Sequence, residues 1–143
     1  MVYNFDDYNY IVRLQKGEQL MQSLQQFVSK TNTDGAWVNG LGGATEFTIG
    51  YYNLNDKQYH WKTVTGLHEV TSVQGNIALG EDGKPIFHLH GTFAGPDYQT
   101  IGGHIKDLTA GATLELFIHR TYQPLHRKPD PEVGLPVLDL GSA

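Results

Sequence analysis

Apolar residues recur at helical spacing in one stretch of this chain, where Leu20, Leu24, Phe27 and Val28 alternate with Gln22, Gln25 and Gln26. That period predicts one amphipathic helix near residues 17–31, opened by Gly17-Glu18 and stopped by the turn residues Asn32-Thr33-Asp34-Gly35. Lys30 sits near its end, where the helix dipole favours a cation. Before it, residues 8–14 read as a strand. From Ala36 onward the chain is rich in β-branched and aromatic residues, broken at short intervals by Gly40, Gly42, Gly43, Gly50, Gly66, Gly75 and Gly80. Short strands and tight turns are expected, with the clearest turns at Asn53-Leu54-Asn55-Asp56 and at Glu81-Asp82-Gly83-Lys84. After Tyr122 the pattern dissolves, and Pro124, Pro129, Pro131 and Pro136 predict an extended tail with no element of its own.

One helix among seven or eight strands gives an α+β fold class, a single domain with a mostly antiparallel or mixed sheet. The expected division is a body over residues 1–122 and a proline-rich tail over residues 123–143. A length of 143 residues leaves no room for a second full domain. No stretch approaches the roughly 18 apolar residues of a membrane span, and the start lacks a secretory layout, so a cytoplasmic protein without membrane contact is expected.

The absence of cysteine removes disulfides and thiolate chemistry, so any metal must be held by histidine, carboxylate, carbonyl or water. The net charge of −5 is the wrong sign for a protein that grips nucleic acid over its whole surface. Arg120, His126, Arg127 and Lys128 form the one local basic cluster, and it reads as part of a solvated tail.

Within residues 85–93 the alternation separates two faces. Phe87, Leu89 and Phe93 share one; His88, His90 and Thr92 share the other. The two imidazoles are then roughly 6–7 Å apart at the backbone, close enough to converge on one ion. Gly95-Pro96-Asp97-Tyr98 reads as a turn, after which Gln99 to Lys106 returns with Gly102-Gly103-His104. A hairpin centred on Pro96 puts His104 directly opposite His88, with all three rings on one side. The two glycines leave space for bound water, a substrate or a close backbone approach. Three imidazoles plus an exchangeable position is the layout of a catalytic zinc, although nickel, cobalt or iron also accept these ligands. His60, His68, His119 and His126 show no such convergence.

Glu115 lies in the apolar run Ala112 to Ile118, where a charge needs a partner; it is a candidate ligand, hydrogen-bond acceptor or general base, or else an outward residue on an edge strand. Glu69 is a weaker case of the same kind, and Arg13 reads as a structural cation paired with Glu18 in preference to a site for an anionic substrate. Gly40-Leu41-Gly42-Gly43-Ala44 lacks the continuation of a phosphate loop and reads as a glycine-rich bend between strands.

These features in this order resemble the plants and prokaryotes conserved (PPC) domain family, known in plants fused to AT-hooks. The resemblance spans nearly the whole chain: Arg13-Leu14 with Gly17-Glu18, Gly40 to Ala44, Gly50-Tyr51-Tyr52, Gly75-Asn76-Ile77, His88-Leu89-His90 and Gly102-Gly103-His104. It implies a homotrimer and, in prokaryotic members, a metal bound at the positions of His88, His90 and His104. It also implies a likeness in fold to the zinc enzyme alpha-acetolactate decarboxylase. No Arg-Gly-Arg-Pro core of an AT-hook occurs here, so DNA binding by this chain alone is not expected. Two functions stay open: a metal-dependent enzyme on a small carbonyl, ester or oxo-acid compound, and a trimeric DNA-associated or interaction module with a structural metal.

Overall fold

A computed structural model describes residues 1–141. Its elements run β1 (Val2–Asp6), β2 (Asn9–Gln15), α1 (Leu20–Thr31), β3 (Ala36–Asn53), β4 (Gln58–Leu79), β5 (Pro85–Ala94), β6 (Thr100–Arg120), β7 (His126–Asp130) and β8 (Leu135–Asp139). The α+β expectation holds, with eight strands in one mixed sheet and one helix among the described residues.

The helix buries Leu20, Ser23, Leu24, Phe27 and Val28, the face its period predicted. It starts at Leu20, three residues after Gly17. Gly17 has a positive φ of 87°, and the Glu18 carboxylate accepts from the Met1 amine and from the Gln15 amide, so both belong to the preceding turn. Asn32 closes the helix in the left-handed region at φ 50°, donating its N–H to the Val28 carbonyl at 2.9 Å.

β3, β4 and β6 are long, at 18, 22 and 21 residues, and each pairs with more than one partner strand. β3 pairs with both β4 and β6, and β5 pairs with β4 on one side and β6 on the other, so these four strands close into a ring. β2 extends the sheet beyond β6, and β1 lies outermost. The core fills the inner side with Val12, Leu14, Val38, Phe47, Val73, Leu89, Phe93, Leu114 and Leu116, closed by α1.

Two expectations are corrected, and one strand is new. The Gly40 to Ala44 segment lies inside β3 instead of forming a bend between strands. It carries register shifts between Gly40 and Gly42 and again between Ala44 and Glu46. Side chains at Gly40 and Gly42 would run into the Glu115 and Thr113 carbonyls of β6, so the glycines permit close strand approach. β1 had no readable signal, because all five of its residues are exposed and no alternation marks it. The tail also has structure of its own: β7 and β8 form an antiparallel hairpin, with Pro129 opposite Pro136, joined to β4 by one parallel pair between His126 and Leu79. Prolines are tolerated there because the hairpin sits at the edge of the sheet.

Candidate metal centre

β5 is anchored on its core side by Leu89 and Phe93, both fully buried, and Phe93 stacks on Phe47 with ring centroids 3.8 Å apart. Alternation then sends His88 and His90 to the outer face. Register places Asn76 of β4 beside His88 and Gln74 beside His90.

β6 brings in the third ring, one step away from the expected register. His104 pairs with His90, and Ala94 pairs with Thr100, so the hairpin is centred on Asp97 and not on Pro96. The loop is set by Asp97, whose carboxylate accepts from the Gln99 amide at 3.1 Å, and by Tyr98 at a φ of 62°. Moving the centre by one residue shifts the pairing by two. An even shift preserves the face, so His104 still points toward His88, now diagonally. Cβ atoms at Gly102 and Gly103 would lie 2.7 Å from the Gly91 carbonyl and 2.8 Å from the Gly50 carbonyl. These glycines thus serve close backbone approach.

The three rings form a nearly regular triangle, with centroids 5.1, 5.4 and 5.3 Å apart. One nitrogen from each lies within 4.8 Å of the others, a group able to hold a metal ion. Nε2 of His88 and Nε2 of His90 are 3.2 Å apart. Two nitrogens on a tetrahedral ion at about 2.0–2.1 Å would be roughly 3.3 Å apart, so the spacing fits. Nδ1 of His104 is buried without a hydrogen-bond partner, another mark of a donor set that an ion would complete.

Electrostatics keep these rings neutral, as ligands must be. Burial, then Arg127 and His90, lowers the His88 pKa to about 4. Burial, then the other two histidines and Arg127, lowers His104 to about 4. Burial also lowers His90, the most exposed of the three.

Arg127 belongs to the cluster expected to be solvated, yet it is 7% exposed. Its Nη2 donates to Nδ1 of His88 at 2.9 Å and to Oδ1 of Asn76 at 3.0 Å, and its Nη1 donates to the Pro136 carbonyl at 2.7 Å. With Nδ1 accepting, the proton of neutral His88 sits on Nε2, facing His90. Ligation of an ion through Nε2 would need the other tautomer, with the proton on Nδ1, so ion binding and the Arg127–His88 hydrogen bond would exclude each other. The β7–β8 hairpin thereby roofs the outer face. Between roof and sheet lies a cavity of about 210 Å³, bordered by His88, His104, Arg127 and Tyr59 and walled by Ile86, Phe87, Leu135 and Pro136. The Tyr59 ring is 4.8 Å from that of His104, and burial, then Tyr52, raises its pKa, so the phenol stays protonated.

Glu115 is not part of this group. It is exposed, paired across β2 with Arg13 and across β3 with Leu41, and lies eleven residues from His104 along β6, a strand path of roughly 35 Å. Its neighbours Leu114 and Leu116 are the buried ones. Glu69 is likewise exposed. Arg13 is exposed opposite Glu115, while Glu18 is taken by the chain's own amino terminus.

A profile of the Plants and Prokaryotes Conserved (PCC) domain, the family abbreviated PPC above, matches residues 4–121. This chain belongs to the PCC domain family. Among solved structures, the PCC chain is similar to a protein from Ralstonia eutropha JMP134, provisionally named a DNA-binding protein. That pair shares 34% identity over 97% of this chain and 96% of the other, with a TM-score of 0.90. The metal-containing protein from Archaeoglobus fulgidus shares the fold at 24% identity and TM-score 0.84, over 96% of this chain and 98% of that one. The likeness in fold to alpha-acetolactate decarboxylase also holds: the Bacillus subtilis enzyme aligns at TM-score 0.57 and 12% identity, over 90% of this chain and 59% of its own. No protein of curated function matches the PCC chain.

Proposed function

We propose that this PCC protein is a metalloprotein whose His88, His90 and His104 hold zinc, or another divalent transition metal, and that the centre acts on a small carbonyl, ester or oxo-acid compound. The observation that carries this reading is the convergence of three neutral imidazoles on one point, with two Nε2 atoms 3.2 Å apart beside a cavity. Three protein ligands leave a position free, and zinc bound there would polarise a carbonyl or ionise water. The chain's own residues contribute the rest. Tyr59, held as a phenol, offers a proton or hydrogen bond at the edge of the cavity, and the β7–β8 hairpin excludes bulk water from one side. Glu115 is too far along β6 to serve as the base.

Assembly into a homotrimer belongs to the same reading. Ile11 and the β3 residues Trp37 and Leu41 expose apolar surface on the side of the sheet away from the core, and such a face favours self-association. Light scattering should give about three times the 15.9 kDa chain mass.

Turnover of small esters and oxo-acids by zinc-loaded protein, abolished by a chelator and restored by zinc, tests the enzymatic part. Stoichiometric zinc with no turnover would favour the alternative, a DNA-associated or interaction module with a structural metal. That alternative draws on the provisional name of the Ralstonia relative, while the net charge of −5 and the missing AT-hook weigh against it. No shift of AT-rich duplex at low salt would remove its DNA version.

A further inference from the structure

We propose that Arg127 is the anion-recognition residue of this centre and that the compound taken there carries a carboxylate next to the group facing the histidines. This rests on the metal reading above and narrows its ligand class.

Arg127 is a buried cation that lacks an anion among the described residues. A guanidinium has five N–H donors and no acceptor. Arg127 has three acceptors: the Pro136 carbonyl, Asn76 Oδ1 and His88 Nδ1, all of them neutral. Its Nε is buried with no partner. Among the described residues no carboxylate pairs with Arg127. A charge at 7% exposure held by neutral groups alone is costly, and an anion arriving from outside offsets that cost.

The cavity chemistry agrees. Its lining contains no Asp or Glu, and its cation is Arg127. A divalent ion on three neutral histidines adds two further positive charges, leaving the pocket strongly attractive to an anion. A lone guanidinium matches the planar, singly charged carboxylate, whereas a phosphate dianion is usually met by several donors or cations. At about 210 Å³ the space lies below the roughly 300–1,000 Å³ of drug-sized pockets. Its Ile86, Leu135 and Pro136 walls suit a short aliphatic chain.

Spacing then restricts the compound further. Arg127 touches His88 itself, so the carboxylate and the group directed at the ligand nitrogens are separated by about the width of one imidazole ring. A short 2-oxo or 3-oxo acid meets that requirement. A long-chain ester with no charge near its carbonyl does not.

The test is calorimetric binding at pH 7 of 2-oxobutyrate and its neutral amide, 2-oxobutyramide, to the full chain, zinc-loaded and metal-free, with zinc measured in every sample. The acid should bind wild-type protein about tenfold or more tightly than the amide, from charge-assisted hydrogen bonds to the guanidinium. In metal-free Arg127→Met the preference should vanish, and metal-free Arg127→Lys should recover part of it. Equal affinities in metal-free wild type, no binding of the acid at millimolar concentration, or a preference that survives in metal-free Arg127→Met would overturn the proposal. Failure of zinc to load would count against the metal reading alone, because the metal-free arm still reads the acid preference of Arg127. The wild-type comparison needs no variant, so a misfolded Arg127→Met would leave the test decisive.

Discussion

Arg127 donates to Nδ1 of His88 across 2.9 Å, tying the C-terminal hairpin to the strand that carries two of the three candidate ligands. The contact joins residues 39 positions apart in the chain, and its partners Asn76 and Pro136 come from two further strands. Truncation to Arg127→Met leaves the buried Asn76 Oδ1 without its donor. Leaving a buried acceptor unsatisfied costs about 1–3 kcal/mol. Urea denaturation of the metal-free variant should show a loss of that order; unchanged stability would mean that the hairpin is not docked in solution.

A Cβ on Gly75 would run into the carbonyl of His88, because β4 and β5 lie in closest register there. Gly75→Ala should therefore push β5 outward, costing about 1–3 kcal/mol as overpacking does, and weaken metal retention with it. Thermal melting and metal content on one preparation check both effects. A variant with normal melting and normal metal would show that the β4–β5 pairing is looser than described.

Acid should destabilise the metal-free protein in a defined window. His88 and His104 titrate near 4 when folded, against 6.5 as ordinary histidines, chiefly because they are buried. Between those values the unfolded chain binds protons that the folded chain refuses. The contribution is complete above about pH 6.5 and is lost as pH falls toward 4. Denaturant titrations from pH 7 to 4 should show this slope, and His88→Asn with His104→Asn should flatten it; an identical slope in the double variant would contradict the assignment.

Glu115→Gln should leave metal content and the melting temperature close to wild type, since this carboxylate is exposed beside Arg13 on a distant part of β6. Loss of metal in this variant would mean that Glu115 reaches the centre by a route the single chain does not contain, such as a neighbouring copy.

The histidine face was readable because β5 alternates strictly, with Leu89 and Phe93 inward and His88 and His90 outward. The partner of His104 was misplaced because the loop length depends on the Asp97 side chain and the positive φ of Tyr98, which the position of Pro96 does not report. Parity survived since the error was an even number of residues. For Glu115 the apolar run leaves both readings open, and burial of Leu114, Leu116 and Ile118 places its side chain on the outward face. Arg127 and Tyr59 left no local signal. Both are brought to the site by long-range packing of strands whose own patterns, four prolines in one case and scattered aromatics in the other, say little about burial.

Whether the three histidines form one metal centre is decided by elemental analysis of protein purified without chelator and then equilibrated with zinc. One divalent ion per chain is expected in wild type, falling to near zero in His88→Ala and in His104→Ala, each verified as folded by circular dichroism. Equal metal in all three proteins, or none in wild type after equilibration, would contradict a three-histidine centre.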